Sequence, residues 1–155
     1  MDFSSKDFSI IIQGPIIGKK NDPIEKQLSQ KCIKSIRQNL PGAEIIISTW
    51  IGEDANHLDY DKIIFSEDPG AITYNDFELK NVYNNNNRQI VSTYNGLRLA
   101  TRKYAVKMRA DFQIENTSFF NFIGKYTNFN RYPFFKHKII VPTYFSKKKK
   151  KAPLL

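Results

Sequence analysis

The chain has 155 residues, 24 Lys+Arg against 15 Asp+Glu, and one cysteine; this is about one domain's worth of chain and excludes an internal disulfide framework or a cysteine-based zinc site. A hydrophobic fraction of 41% with 14% aromatic residues supplies a core and excludes a wholly disordered polypeptide. The formal charge of +9 falls to +4 once the five lysines at 147–151 are set aside, so the basic excess is mostly a property of the tail. No apolar run approaches the roughly 20 residues of a membrane-spanning helix, and the start lacks a secretory signal. With a lone cysteine, a reducing cytoplasmic compartment is the simplest fit.

The run Phe8-Ser-Ile-Ile-Ile-Gln13 before Gly14-Pro15 reads as a short strand entering a tight loop, and its unbroken isoleucines imply burial on both faces, as in a parallel sheet. Asp22-Pro23-Ile24-Glu25 has the pattern of a helix start, with Asp22 as cap and Pro23 at the first position. Ile24, Leu28, Cys32 or Ile33, Ile36 and Leu40 then recur at helical spacing until Pro41-Gly42. Residues 44–50 and 62–66 repeat the strand pattern, the latter before Glu67-Asp-Pro-Gly70. This order predicts an α/β open sheet.

Residues 72–87 are polar, end in four asparagines and read as a long functional loop, with Asn87 as the cap of the next element. Over 88–103 the spacing of Val91, Tyr94, Leu97 and Ala100, with Tyr104 just beyond, predicts a second helix that turns this apolar stripe to the sheet. A strand over 104–112 comes next. Eight of the twelve phenylalanines lie between Phe112 and Phe145, yet only residues 138–141 there read as a strand. Such aromatic surface needs something to pack against.

The sharpest chemical signal is Lys107-Met-Arg-Ala-Asp111. Alternation along a strand puts Lys107, Arg109 and Asp111 on one side. That row is either a solvated edge or an anion site with two cations for a phosphate and a carboxylate for a divalent metal. Gln13, Gly14 and Pro15 lie past the carboxyl end of the first strand, where open α/β sheets bind ligands; the turn alone also explains the Gly-Pro pair. Neither a GxGxxG fingerprint nor a P-loop lysine is present. Trp50 can stack on a nucleobase or fill the core. Asp68 can hold a ribose hydroxyl or cap its own turn, and Arg88 can reach the same cleft or stay solvated. His57 and His137 have no partner at a catalytic or metal-ligand spacing. The lysine tail offers contact with anionic lipid or nucleic acid, or is a solvated terminus. No nucleic-acid recognition module is visible, so no specific nucleic-acid partner is expected.

Taken together, Ser9-Ile-Ile-Ile-Gln-Gly-Pro-Ile16, Lys31-Cys-Ile-Lys-Ser-Ile-Arg37, Leu40-Pro-Gly-Ala-Glu-Ile-Ile-Ile-Ser-Thr-Trp50, Ser66-Glu-Asp-Pro-Gly70, Asn87-Arg-Gln-Ile-Val-Ser-Thr93 and Lys107-Met-Arg-Ala-Asp111 closely resemble the WavE lipopolysaccharide-synthesis family, which looks like a set of GT-A-type glycosyltransferases. The resemblance implies a Rossmann-like nucleotide-sugar-binding domain over residues 1–146, followed by a basic tail at 147–155. It also implies transfer of a sugar from a nucleotide-sugar donor to a saccharide or lipid-linked saccharide acceptor. The expected setting is the cytoplasm, with peripheral contact at the inner face of the membrane through the lysines.

In such enzymes a helix carrying Asn-Gly, here Asn95-Gly96, leads into a strand ending in Asp-x-Asp. Here that position reads Arg109-Ala110-Asp111, so the first aspartate has become arginine. Asp111 remains the candidate ligand for Mg²⁺ or Mn²⁺, while Arg109, Lys107 and Arg88 are placed to neutralise a departing diphosphate. The acceptor side and general base of GT-A enzymes usually come from the C-terminal half, so the expectation is a shortened member of the family. The alternatives are an inert nucleotide-sugar binder and, from another class, a basic nucleic-acid-binding module driven by the tail.

Overall fold

The computed structural model describes residues 3–74 and 82–123. The isoleucine-rich runs become strands β1 (Phe8–Gln13) and β2 (Glu44–Trp50), every residue of which is buried. Helix α1 (Leu28–Asn39) connects them. Beyond β2 come β3 (Lys62–Ser66), β4 (Ile72–Tyr74), β5 (Val82–Asn84), helix α2 (Asn86–Arg98) and β6 (Tyr104–Arg109). The main sheet has the order β3-β2-β1-β6, and all three of its pairings are parallel. The α/β open sheet is therefore observed.

Because β1 and β2 are central, each needs cover on two faces, which is why alternation gives way to continuous isoleucine. In parallel register Ser9, Ile11 and Gln13 stand beside Glu44, Ile46 and Ser48 on one side and Ala105, Lys107 and Arg109 on the other. Helix α2 lies on this face: a Cβ at Gly96 would meet the Ile11 Cγ2 and, at 3.1 Å, the Ser48 Cβ. The opposite face carries Ile10, Ile12, Ile45 and Ile47, and the buried Cys32, Ile33 and Ile36 of α1 supply its apolar cover.

Strand starts are tied together by one carboxylate. Glu44 is 6% exposed; it pairs with Lys62 Nζ at 2.7 Å and accepts hydrogen bonds from Ser9 Oγ, Thr101 N and Thr101 Oγ1. Ser9 Oγ accepts in turn from Arg102 N at 3.1 Å. This network joins β1, β2, β3 and the α2-to-β6 turn. Burial alone would raise the Glu44 pKa, but the donors from Lys62, Ser9 and Thr101 outweigh it and hold the pKa down at about 2.

Five local expectations change. Residues 24–26 form a separate 3-10 turn and α1 begins only at Leu28, because Ser29 is bound to the loop after β1: Ile17 N donates to Ser29 Oγ, and Ser29 N to Ile17 O. Asp22 accepts from Lys19 N instead of capping the helix, and Ile24 is exposed. The 72–87 segment is not wholly loop, since β4 and β5 pair antiparallel within it. Helix α2 starts at Asn86, so Asn87 is inside it. Its buried residues are Ser92 and Gly96, whereas Tyr94 and Leu97 of the predicted inner stripe are exposed. Close approach selected small residues over apolar ones.

The chain divides into two compact units, Met1–Thr117 and Ser118–Leu155. In the second, residues Ser118–Phe122 form a 3-10 turn in which the Phe119 and Phe120 rings meet edge to face at 4.8 Å. The strand expected at 138–141, the aromatic residues beyond 123, His137 and the lysine tail lie outside the described residues.

Candidate functional site

The strand order runs outward from β1 through β2 to β3, then returns to β6 on the other side of β1. The carboxyl ends of β1 and β6 therefore flank the point where connection direction reverses, the position at which open α/β sheets leave a ligand crevice. Gln13 and Arg109 are register partners there. Gly14 turns the chain with φ of 104° and donates its N–H to Ser48 O at 3.1 Å, a conformation that glycine adopts without strain. Pro15 follows in the same loop.

Gln13 is buried, and its amide oxygen accepts from Thr93 Oγ1 at 2.7 Å and lies 3.1 Å from Ser92 Oγ, whose single proton also faces Arg88 O at 2.7 Å. The Thr93 hydroxyl on α2 thus orients the amide, and the NH₂ is the group left to donate. Sequence reading picked out Gln13 but not Ser92 and Thr93, which the predicted inner stripe had turned away from the sheet. Asn95 Nδ2 also reaches the sheet, donating to Ser66 Oγ at 2.8 Å.

On the other flank, Arg109 forks onto Asp111 with Nε to Oδ1 at 2.9 Å and Nη2 to Oδ2 at 2.6 Å. The guanidinium holds the Asp111 carboxyl below the usual range, and the carboxylate raises the Arg109 pKa. Arg109 also lies over the Phe112 ring at 5.4 Å. The turn is braced from α1: Cys32 Sγ donates to Arg109 O, Ile114 N donates to Ser35 Oγ, and Asn39 Nδ2 donates to Ile114 O. Burial, with a smaller contribution from the Asp111 charge, pushes the Cys32 thiol up to about 12, so this sulfur is a structural contact and not a nucleophile. Lys107, on the same strand face, is exposed, and its one side-chain partner among the described residues is Gln89 Oε1, at 3.5 Å.

The remaining candidates gather past β3. Arg88 forks onto Asp68 with Nε to Oδ1 at 2.7 Å and Nη2 to Oδ2 at 2.6 Å. Each shifts the other: the Asp68 pKa is lowered and the Arg88 pKa raised, the direct hydrogen bond being the main cause. Asp68 Oδ1 also accepts from Gly70 N at 3.0 Å, capping its own turn. Trp50, at the end of β2, is 8% exposed, so most of its ring is covered.

The nine residues named from the sequence are thus brought to one edge of the sheet. Gln13, Gly14, Pro15, Lys107, Arg109 and Asp111 belong to β1, β6 and the turns that follow them, Asp68 to the turn after β3, and Trp50 to the end of β2. Arg88, in the first turn of α2, is bound to Asp68, while its neighbour Gln89 is reached by Lys107 of β6. Among the described residues no three His, Cys, Asp or Glu side chains come together as a metal site. Asp111 is a single carboxylate with both oxygens engaged, a donor set that does not by itself hold a divalent ion.

Among the described residues no helix is long and apolar enough to cross a membrane. A search of curated proteins and a search of solved structures each return no match. The family model described as WavE lipopolysaccharide synthesis matches residues 8–155, and the chain belongs to that family.

Proposed function

We propose that the protein is a glycosyltransferase that binds a nucleotide sugar across the carboxyl edge of its sheet and transfers the sugar to a hydroxyl of a saccharide or lipid-linked saccharide. The observation carrying this reading is the reversal of strand order between β1 and β6, with Gln13 and Gly14 on one flank and Lys107, Arg109 and Asp111 on the other. The family's role in lipopolysaccharide synthesis supports it. In this reading the diphosphate lies between Gly14 and Arg109, and the nucleoside extends toward Trp50 and Asp68.

The acceptor oxygen forms a bond to the anomeric carbon as the bond from that carbon to the diphosphate oxygen breaks; the acceptor's hydroxyl proton passes to solvent, and the nucleoside diphosphate leaves with the electron pair. Lys107 and Arg109 offset the charge that develops on it. The Gln13 amide donates to the ligand from an orientation already fixed by α2, so little ordering is needed on binding. Arg88 holds Asp68 in place for a ribose hydroxyl. The enzyme works in the cytoplasm, at the inner face of the membrane.

Calorimetry of the full chain with UDP-, GDP- and CMP-sugars, in Mn²⁺ and in EDTA, followed by a turnover assay with the bound donor, tests the proposal. Binding of one nucleotide class with transfer to an acceptor is the expected result. Binding without turnover identifies an inert nucleotide-sugar binder, and absence of binding to every donor overturns the assignment of the crevice.

A further inference from the structure

Helix α2 is amphipathic in an unusual sense, because its small and polar side faces the sheet. Ser92 and Gly96 are buried against it and Thr93 and Asn95 bond to it, while Ile90, Tyr94 and Leu97 stand outward at 65%, 60% and 43% exposure. Their spacing of four and three residues makes one continuous stripe. Three large apolar residues on the outside of a two-sided layer are a surface that wants a partner.

Charge decides which partner. From α2 through β6, residues 86–109 contain six Lys or Arg and no Asp or Glu. Arg88 and Arg109 are neutralised by Asp68 and Asp111. Arg98, Arg102, Lys103 and Lys107 are exposed, and among the described residues none of them pairs with a carboxylate. Arg98 lies over the Tyr94 ring at 5.6 Å, its stem along the stripe and its charge at the rim. A second copy of the same face would bring these cations against themselves with no acid to meet them. An anionic, apolar layer matches both the stripe and its rim.

We infer that the outer face of α2 docks the protein on an anionic lipid surface, with Ile90, Tyr94 and Leu97 entering the headgroup boundary and Arg98, Arg102 and Lys103 meeting lipid phosphates. An apolar stripe bordered by cations, with an aromatic phenol among the inserted side chains, is the pattern of helices that lie in the interface plane. The N-terminus of α2 lies beside the carboxyl edge of the sheet, through Arg88 and Asp68, so docking there holds that edge at the bilayer. This inference does not depend on the nature of the reaction.

Co-sedimentation of the full chain with vesicles of phosphatidylcholine alone, and of phosphatidylcholine with phosphatidylglycerol, tests it. The parent should bind only the anionic vesicles and release them in high salt. The triple variant Ile90→Ser, Tyr94→Ser, Leu97→Ser should lose about tenfold in binding, given the apolar area removed, as should Arg98→Glu, which leaves the stripe intact. Changing the five lysines at 147–151 to Gln should leave most of the binding. Circular dichroism melts establish that each variant is folded. Parent-like binding by both the triple variant and Arg98→Glu, or binding that vanishes with the 147–151 change alone, overturns the inference. So does a dimer in sedimentation velocity that the triple variant abolishes while vesicles bind neither protein.

Discussion

Arg109 and Asp111, two residues apart at the end of β6, close onto each other through two charge-assisted hydrogen bonds of 2.9 and 2.6 Å. The strand expected to run on to residue 112 ends at Arg109, and the turn that follows brings the Asp111 carboxylate back within reach of the guanidinium. The cation expected to meet a diphosphate is therefore held by an internal anion, and the pair carries no net charge.

That arrangement gives the two variants opposite signs. Arg109→Ala should weaken nucleotide-sugar binding about tenfold, the value of one charge-assisted contact, because it removes the cation and strands Asp111. Asp111→Asn should tighten metal-free binding by a few-fold, because Arg109 is released to the ligand. Calorimetry in EDTA and in Mn²⁺ reads both. Parent-like affinity in both variants would sink the assignment of this strand face.

Glu44 should make the fold acid-sensitive. Its pKa is depressed from the ordinary 4.5 to about 2, so its contribution is fully present above 4.5 and is lost as pH falls through about 2. The difference corresponds to roughly 3 kcal/mol. Urea unfolding between pH 5 and 2 should show a decline that is shallower in Glu44→Gln, which is less stable at pH 7.

Gly96→Ala should destabilise by about 2 kcal/mol despite the better helix propensity of alanine. The added methyl meets Ile11 and Ser48, which belong to the central strands and have no room to move. A denaturation midpoint equal to or above the parent's would mean that α2 does not approach the sheet so closely.

Two buried serines should respond differently to truncation. Ser48 Oγ is buried with no hydrogen-bond partner among the described residues, so Ser48→Ala should leave stability within about 0.5 kcal/mol of the parent or raise it. Ser9 Oγ bridges Glu44 and Arg102, so Ser9→Ala should cost about 1–3 kcal/mol by leaving both short of a partner. Thermal melts of the two variants compare them directly.

The strands were legible because their signal is local. Phe8–Gln13, Glu44–Trp50 and Lys62–Ser66 have the bounds that composition and flanking turns indicate, and the uninterrupted isoleucines correctly meant a parallel sheet buried on both sides. The helices were less so. The start of α1 moved to Leu28 because hydrogen bonds from the β1 loop, seventeen residues into the chain, compete with the cap pattern at Asp22. The face of α2 was misread because periodicity reports where apolar residues cluster, and here the sheet accepts Gly96 and Ser92 while the cluster faces out.

The sequence by itself determined the strands of the main sheet, the sheet class, the motif order that marks the WavE family and the residue types at the carboxyl edge, since each depends on neighbours a few positions away. Only the tertiary structure decided that Arg88 and Arg109 are each bound to an aspartate, and that Gln13 is oriented by Thr93. Charge pairing and hydrogen bonding depend on distances of about 3 Å between residues as many as 93 positions apart. Strand order and helix placement set those distances, and no local pattern encodes them.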